Sequence, residues 1–315
     1  MARKIGEPVL DPTDEAIIRL LEEDGRLAHR EIAARVGLSR SATAGRVQRL
    51  LGEGLVDVRG AAHPAVLGHD ALAHVAVAVR GPAARVADAI AARPDTTFVS
   101  LVSGPHAVVA ELRAATVAEI DAAVADVRST PGVGSVETLV YTEVLRDVAG
   151  PVGQVDPATA DLDATDYALL RALQEDGRAS YVDLAGRVGL SPAGARRRVV
   201  RLLEGNVVRV GAVVRHSGRE RRTATGVGLR LEGAGREVGE ALAGHPSVVF
   251  VARTLGRYDL LLTVNTATAG DLVDTLDHLR ALPGVRQAET WSHLRFVKET
   301  YASLRLGEGI TRRTW

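Results

Sequence analysis

The 315-residue chain contains no cysteine. That absence removes a disulfide framework, a thiolate nucleophile and every cysteine-ligated zinc or iron–sulfur site, so a metal would have to be held by histidine with carboxylate. No apolar run approaches the roughly 18 residues that a membrane span requires; the longest are of the kind LAHVAVAV, residues 72–79. The opening MARKIGEPVLDP has no signal-peptide apolar core, and the expectation is a cytoplasmic protein with no membrane partner. Net charge is missing too: 39 Lys+Arg balance 39 Asp+Glu, so global charge gives no argument for a polyanionic partner. With 46% hydrophobic and 25% charged residues, the composition is that of a soluble globular protein long enough for two domains or more.

The charge that balances overall is segregated locally. Residues 191–222 hold nine arginines, at 196, 197, 198, 201, 209, 215, 219, 221 and 222, against Glu204 and Glu220. Residues 150–176 hold six acids against Arg171. A segment dense in positive charge is what binding to a polyanion requires.

The chain is one unit written twice. LDPTDEAIIRLLEEDGR at residues 10–26 returns as LDATDYALLRALQEDGR at 162–178, an offset of 152 (162 minus 10). The same offset superposes Ser39 on Ser191, Gly104 on Gly256 and Pro131-Gly132-Val133 on Pro283-Gly284-Val285 without insertion or deletion. Over residues 10–56 about 23 of 47 positions are identical, while the rest of each unit keeps pattern more than identity. The join at 146–161, RDVAGPVGQVDPATAD, has the Gly, Pro and Asp content of a linker.

Each unit opens helically. Asp14 precedes the apolar stripe Ile17, Ile18, Leu21, and Asp24-Gly25 ends the first helix. A short second helix stops at Gly37. Ser39 caps a third that runs through Leu51 with Thr43, Val47 and Leu50 on its buried side. That spacing is helix-turn-helix, and the third helix of such a motif enters the DNA major groove. Outward positions on it are Arg40, Ser41 and Gln48 in unit one, and Arg196 and Arg197, with Arg201 at the edge, in unit two. A guanidinium fork matches phosphate oxygens or a guanine edge, so these six are the candidate DNA contacts. Arg46 and Arg198, equivalent to each other, sit beside the buried stripe, where they either face outward or pair with an acid of their own domain.

The rest of each unit alternates with period two. Strands at 72–79, 97–103, 107–113 and 135–144 enclose helices at 83–92 and 117–128, and unit two follows suit, giving a ferredoxin-like βαββαβ order. Such a module pairs with another copy through its sheet, and a duplicated chain supplies its own partner. Between its second and third strands unit two reads TLGRYDLLLTV: Gly256 permits a tight turn, while Tyr258 and Asp259 set a ring and a carboxylate at the lip of the sheet. A carboxylate there suits an ammonium group and the turn's N–H groups suit a carboxylate, which together suit an amino acid. Unit one keeps Gly104 but has His106 and Ala107 in place of the tyrosine and aspartate.

With the paired LDPTDEAIIRLLEEDGR and LDATDYALLRALQEDGR, the VGLS turn, GRYD and PGV, each unit resembles the leucine-responsive regulator/AsnC (Lrp/AsnC) family of bacterial transcription factors. The resemblance implies an α+β architecture: a winged-helix-like helix-turn-helix domain plus a ferredoxin-like βαββαβ (RAM-type) domain, present twice. It also implies double-stranded DNA as partner, an amino acid or related effector, no cofactor, and dimers paired through their sheets, often in rings. The family's effector loop carries over to Gly256, Tyr258 and Asp259, and in unit one to Gly104 alone. The expected domains are helix-turn-helix at 1–60, βαββαβ at 61–148, a linker at 149–161, helix-turn-helix at 162–212, βαββαβ at 213–304 and a tail at 305–315. Since family members usually hold one unit, this chain looks like a covalent pseudo-dimer that reads unequal half-sites and forms a homo-oligomer of such chains.

Two other readings share this fold. Siroheme decarboxylases resemble these regulators, some as fused pairs, and are marked by a His- and Tyr-rich loop and sheet. The corresponding stretches here, TFVSLVSGPHAVV and VVFVARTLGRYDLL, offer His106 and Tyr258, and His69, His74 and His106 would have to gather. Scattered histidines are more often surface residues or satisfied hydrogen-bonders than ligands, and no serine sits on a G-x-S-x-G elbow for Ser/His/Asp hydrolysis, so no enzyme is expected. The third reading is an assembly partner that binds no DNA, for which Gly45 inside the first recognition helix speaks.

Overall fold

The structure is a computed structural model that describes residues 10–147, 150–156, 159, 161–214, 223–233 and 235–299. Arg215, Arg219, Arg221, Arg222 and the expected tail lie outside the described residues. Unit one runs α1 (Pro12–Glu23), α2 (His29–Val36), α3 (Arg40–Gly52), β1 (Val56–Ala62), a 3-10 turn (Pro64–Leu67), β2 (Ala71–Val79), α4 (Ala83–Ala91), β3 (Thr96–Val102), β4 (Val108–Ala114), α5 (Val117–Ser129) and β5 (Val133–Arg146). Unit two runs α6 (Ala164–Glu175), α7 (Tyr181–Val188), α8 (Pro192–Glu204), β6 (Val208–Val214), β7 (Thr223–Leu231), α9 (Arg236–Ala243), β8 (Val248–Leu255), β9 (Leu260–Thr266), α10 (Ala269–Ala281) and β10 (Val285–Glu299).

The duplication is legible in the caps. Asp11 accepts from the Asp14 N–H at 2.8 Å and Asp14 accepts from the Asp11 N–H at 3.3 Å, a reciprocal capping box that Asp163 and Asp166 repeat on α6. Asp14 thus lies in the first turn of α1, ahead of the apolar stripe, with Asp11 as the N-cap. Ile17 and Leu21 behind it are fully buried, each stabilising the domain by about 1.5–3 kcal/mol. Left-handed Gly37 and Gly189 end α2 and α7, and Ser39 and Ser191 accept N–H bonds that start α3 and α8.

Strands β1 and β6 are wings that pair with each other. Their antiparallel ribbon sets Arg59 opposite Gly211, its own counterpart at the 152 offset, so the pseudo-twofold axis relating the units passes between them. Beside it Gly25 donates its N–H to Val210 and Gly177 donates to Val58. Arg26 reaches the Gly177 carbonyl at 2.6 Å, and Arg178 returns the contact to Gly25 at 2.6 Å. One apolar core, including Ile17, Leu21 and Leu50 with Leu169, Leu173 and Leu202, runs through both helix-turn-helix domains. The wings extend to Ala62 and Val214, past the expected boundaries at 60 and 212.

The two regulatory sheets close into one eight-stranded barrel, ordered β10-β3-β4-β2-β5-β8-β9-β7. Each unit gives four strands, and the units join where β5 pairs β8 and β10 pairs β3. Closure leaves neither sheet with an edge. Helices α4, α5, α9 and α10 cover the outer faces over aliphatic cores, and the helix-free faces meet inside the barrel.

Candidate functional site

The exposed side chains of the two recognition helices differ. On α3 they are Arg40, Ser41 and Gln48, the Ser41 hydroxyl lying 3.1 Å from that of the cap Ser39. On α8 the exposed charged side chains are Arg196, Arg197 and, at its C-terminal end, Glu204, and the two arginines have no hydrogen bond or ion pair among the described residues. These two arginines line an open groove with Val200, Glu204 and, from the linker, Asp156 and Thr159. The linker is fastened there: the Asp156 N–H and the Thr159 hydroxyl both donate to the Gly205 carbonyl, and the Asn206 amide donates to the Val152 carbonyl.

Arg201, expected at the edge of the DNA-facing surface, lines the same groove but also engages an acid of its own domain. Its Nη2 is 2.5 Å from Asp166 Oδ2, and Arg198 Nη1 donates to Asp163 at 2.7 Å and to Asp166 at 3.0 Å. Unit one repeats the clamp: Arg46 donates to Asp11 and Asp14, and Arg49 donates to Asp14 at 2.6 Å. Asp14 and Asp166 are each only 1% exposed. Charges that deep require partners, and two guanidinium groups supply them. Asp163 is held below the usual carboxylate range, first by the Asp166 backbone N–H and then by the Arg198 guanidinium. The repeat itself carries this signal, because Arg201 and Arg49 are equivalents and so are the aspartates they hold. Arg209 is committed as well, donating to the carbonyls of Asp147 and Glu22. Of the described arginines in that run, Arg198, Arg201 and Arg209 are held by the protein itself, while Arg196 and Arg197 have no partner among the described residues.

The expected effector residues separate. Gly256 has φ of 143°, and a Cβ there would stand 2.6 Å from Leu139 Cδ2, because the turn packs on β5 of the other unit. Tyr258 follows inward, 8% exposed and flat over Gly228, whose added Cβ would meet its ring at 2.5 Å. The ring stacks on Trp291 at 6.2 Å between centroids, and its hydroxyl donates to Glu289 at 2.8 Å. Burial and that acceptor push the phenol far up. Asp259 turns the other way. It is exposed, and one carboxylate oxygen accepts the Leu231 N–H at 2.7 Å, fastening β9 to β7. Gly104 stands in open space, with nothing within 4 Å of an added Cβ.

Around Tyr258 the barrel instead gathers residues that the sequence alone does not single out. Arg257 donates to both oxygens of Glu289, at 2.6 and 2.9 Å, and to Glu137 at 3.4 Å. Burial acts to raise the Glu289 carboxyl, but the Tyr258 hydroxyl and the Arg257 guanidinium outweigh it and hold it low. These side chains, with Ser103 and His106 of unit one, line a cavity of about 60 Å³. A second cavity of about 60 Å³ lies among Phe98, Glu111, Tyr141, Phe250, His293 and Phe296. His74 and Trp291 line both. Burial drives the imidazoles of His74 and His293 down to about 3 and about 4, so both are neutral. Trp291 Nε1 and His293 Nδ1 are buried without a hydrogen-bond partner. Among the described residues no cluster of His, Asp or Glu is arranged to hold a metal ion; His69 does not line either cavity with His74 and His106.

A model of the AsnC-type helix-turn-helix domain matches residues 10–51 and 162–203, and one of the Lrp/AsnC ligand binding domain matches 71–148 and 226–303. An uncharacterized HTH-type transcriptional regulator of Pyrococcus abyssi is 30% identical over 140 residues, 44% of this chain and 89% of its own. The HTH-type transcriptional regulator FL11 of Pyrococcus horikoshii is 30% identical over 141 residues, 44% of this chain and 93% of its own. Among solved structures, the siroheme decarboxylase NirDL superposes on 91% of this chain and 93% of that one, with a TM-score of 0.60 at 17% identity. At that identity the likeness concerns the fold alone. No helix among the described residues is long and apolar enough to cross a membrane.

Proposed function

The chain belongs to the Lrp/AsnC family of DNA-binding regulators, its two-part unit present twice, and from that premise we propose that it is a sequence-specific transcriptional regulator whose single chain supplies both DNA-reading domains of one binding unit. The observation that carries this reading is the β1·β6 ribbon, which relates α3 and α8 by a pseudo-twofold axis as a two-fold dimer relates its recognition helices. The helices differ where they face outward, Arg40, Ser41 and Gln48 against Arg196 and Arg197, so the two half-sites read are unequal. DNA affinity resides more in α8, whose Arg196 and Arg197, without partners among the described residues, take phosphate or guanine edges. Regulation comes from a small metabolite, of the amino-acid class, acting on the barrel that the βαββαβ modules build. The protein works in the cytoplasm, and assembly beyond one chain joins pseudo-dimers to one another.

The direct test is fluorescence anisotropy of labelled genomic fragments titrated with the purified chain. Saturable binding that is competed poorly by unrelated duplex supports the proposal, and equal affinity for every fragment overturns it. A tetrapyrrole enzyme is the second reading, favoured by the likeness to NirDL over both halves of the chain. Against it stands the histidine gathering that the enzyme would need: among the described residues His69 lines neither of the cavities that His74 lines. An absorbance spectrum after mixing with siroheme tests it; a shifted band and loss of carboxylate would establish the enzyme.

A further inference from the structure

Aromatic residues make up 3% of the chain, with three phenylalanines and two tryptophans in all. All three phenylalanines, Phe98, Phe250 and Phe296, line the second barrel cavity together with Trp291 and Tyr141. The outer faces of the same sheets pack on cores of alanine, valine, leucine and isoleucine with no aromatic member. Aliphatic packing thus serves stability elsewhere in these domains, and the aromatic set has been gathered from β3, β5, β8 and β10 onto one void.

A second observation is independent of composition. Two polar atoms facing this interior, the Trp291 indole N–H and His293 Nδ1, are buried with no partner among the described residues, and an unsatisfied buried polar atom in a native structure asks for a water or a ligand. The rings around them pack on one another: Phe98 meets His293 edge-on at 5.7 Å, His293 stacks on Phe296 at 5.5 Å, Tyr141 tilts on Phe250 at 5.7 Å, and His74 lies 6.1 Å from Trp291. Across His74 and Trp291 the void adjoins the first cavity, where Arg257 faces Glu289 and Glu137. A guanidinium beside two carboxylates offers one partner for each end of a zwitterion.

We propose that the barrel binds an aromatic amino acid, its ring among Phe98, Phe250 and Trp291, its α-carboxylate on Arg257 and its α-ammonium on Glu137 and Glu289. The proposal rests on the reading of the chain as a metabolite-responsive regulator, and it names the class of metabolite. In the closed state the Arg257–Glu289 pair stands in for the ligand's two charges. Each cavity is about 60 Å³ against the roughly 150 Å³ that takes a benzene ring, so entry separates that pair and parts His74 from Trp291. The site is single per chain, because the counterparts of Arg257 and Tyr258 are Pro105 and His106.

Trp291 reports on its own surroundings once Trp315, the other tryptophan, is replaced. In a Trp315→Phe chain, emission is followed while L-phenylalanine, L-leucine, phenylethylamine and 3-phenylpropionate are titrated, and binding to a genomic DNA fragment is measured on the same preparation. Saturable change with L-phenylalanine is expected, with leucine and both single-ended analogues about tenfold weaker, the scale of removing one charge-assisted bond or one ring. Phe250→Leu should weaken L-phenylalanine and leave leucine unchanged, and Arg257→Gln should bring L-phenylalanine down to the level of phenylethylamine. The absence of any saturable response to L-phenylalanine in a chain that still binds DNA overturns the proposal, as does leucine binding as tightly. A chain that saturates with L-phenylalanine but binds no DNA overturns the regulator reading and leaves the site standing.

Discussion

Replacing Arg196 and Arg197 together by alanine removes the two exposed guanidinium groups of α8 and nothing that the fold uses, since neither has a partner among the described residues. Every phosphate that a binding protein ceases to neutralise lowers the slope of log affinity against log salt by about 0.9, so two arginines change it by about 1.8. Between roughly 50 and 200 mM salt, a fourfold rise, that difference amounts to about twelvefold: the variant's deficit at low salt shrinks by that factor at high salt. The matched control is Arg201→Ala on the same helix. Arg201 is bound to Asp166, which is 1% exposed, and taking a hydrogen bond away from a buried charge costs roughly 1–3 kcal/mol. This second variant should unfold at lower denaturant while its salt slope stays that of the parent. Anisotropy titrations across salt and urea unfolding of the three chains decide the matter. An Arg201→Ala chain that flattens the slope as the double variant does, and unfolds like the parent, would refute the division of roles along α8.

Three further outcomes follow from the geometry. Gly256→Ala puts a Cβ 2.6 Å from Leu139 Cδ2 at a φ of 143°, and should destabilise the barrel by about 2–3 kcal/mol in chemical denaturation; an unchanged midpoint would mean that the turn does not pack on β5. Gly45→Ala meets nothing within 4 Å and should stabilise the chain by about 1 kcal/mol; a loss of DNA affinity instead would place the backbone of α3 against the duplex. His74 and His293 titrate at about 3 and about 4, below the free value of 6.5, because burial disfavours their charged forms. A depressed imidazole gives its full stability above 6.5 and loses it as pH falls toward the folded value, at about 1.4 kcal/mol per unit for each group. From pH 7 to pH 5 the two together should cost about 4 kcal/mol, and a His74→Gln, His293→Gln chain should lose much less; equal losses would contradict the assignment.

Much of this architecture is legible in the sequence because local chemistry writes it. Serine caps, turn glycines and the period-two strands are short-range signals, and the 152-residue offset tells each which partner it repeats. The β1·β6 ribbon is not legible, since VDVRGAA and VRVGAVV say nothing about being partners across the chain. Helix position alone points Arg201 outward, although its equivalence to Arg49 marks it as part of what both units share. Tyr258 and Asp259 stand together in the sequence as one pair, yet adjacent residues entering a strand project to opposite faces, and the structure buries the first while exposing the second. The barrel interior is hidden for a related reason: Glu289, Trp291 and His293 alternate on one face of β10, and periodicity shows that such a face exists without showing what it meets.

Two unequal DNA-reading helices about a single pseudo-twofold axis are the core of this functional reading. Selection of bound duplexes from a random pool, followed by sequencing, tests it most directly. The expected outcome is two half-sites of different sequence whose centres lie about 10 base pairs or a multiple of that apart. A perfect palindrome, a lone half-site or a pool without enrichment would contradict it.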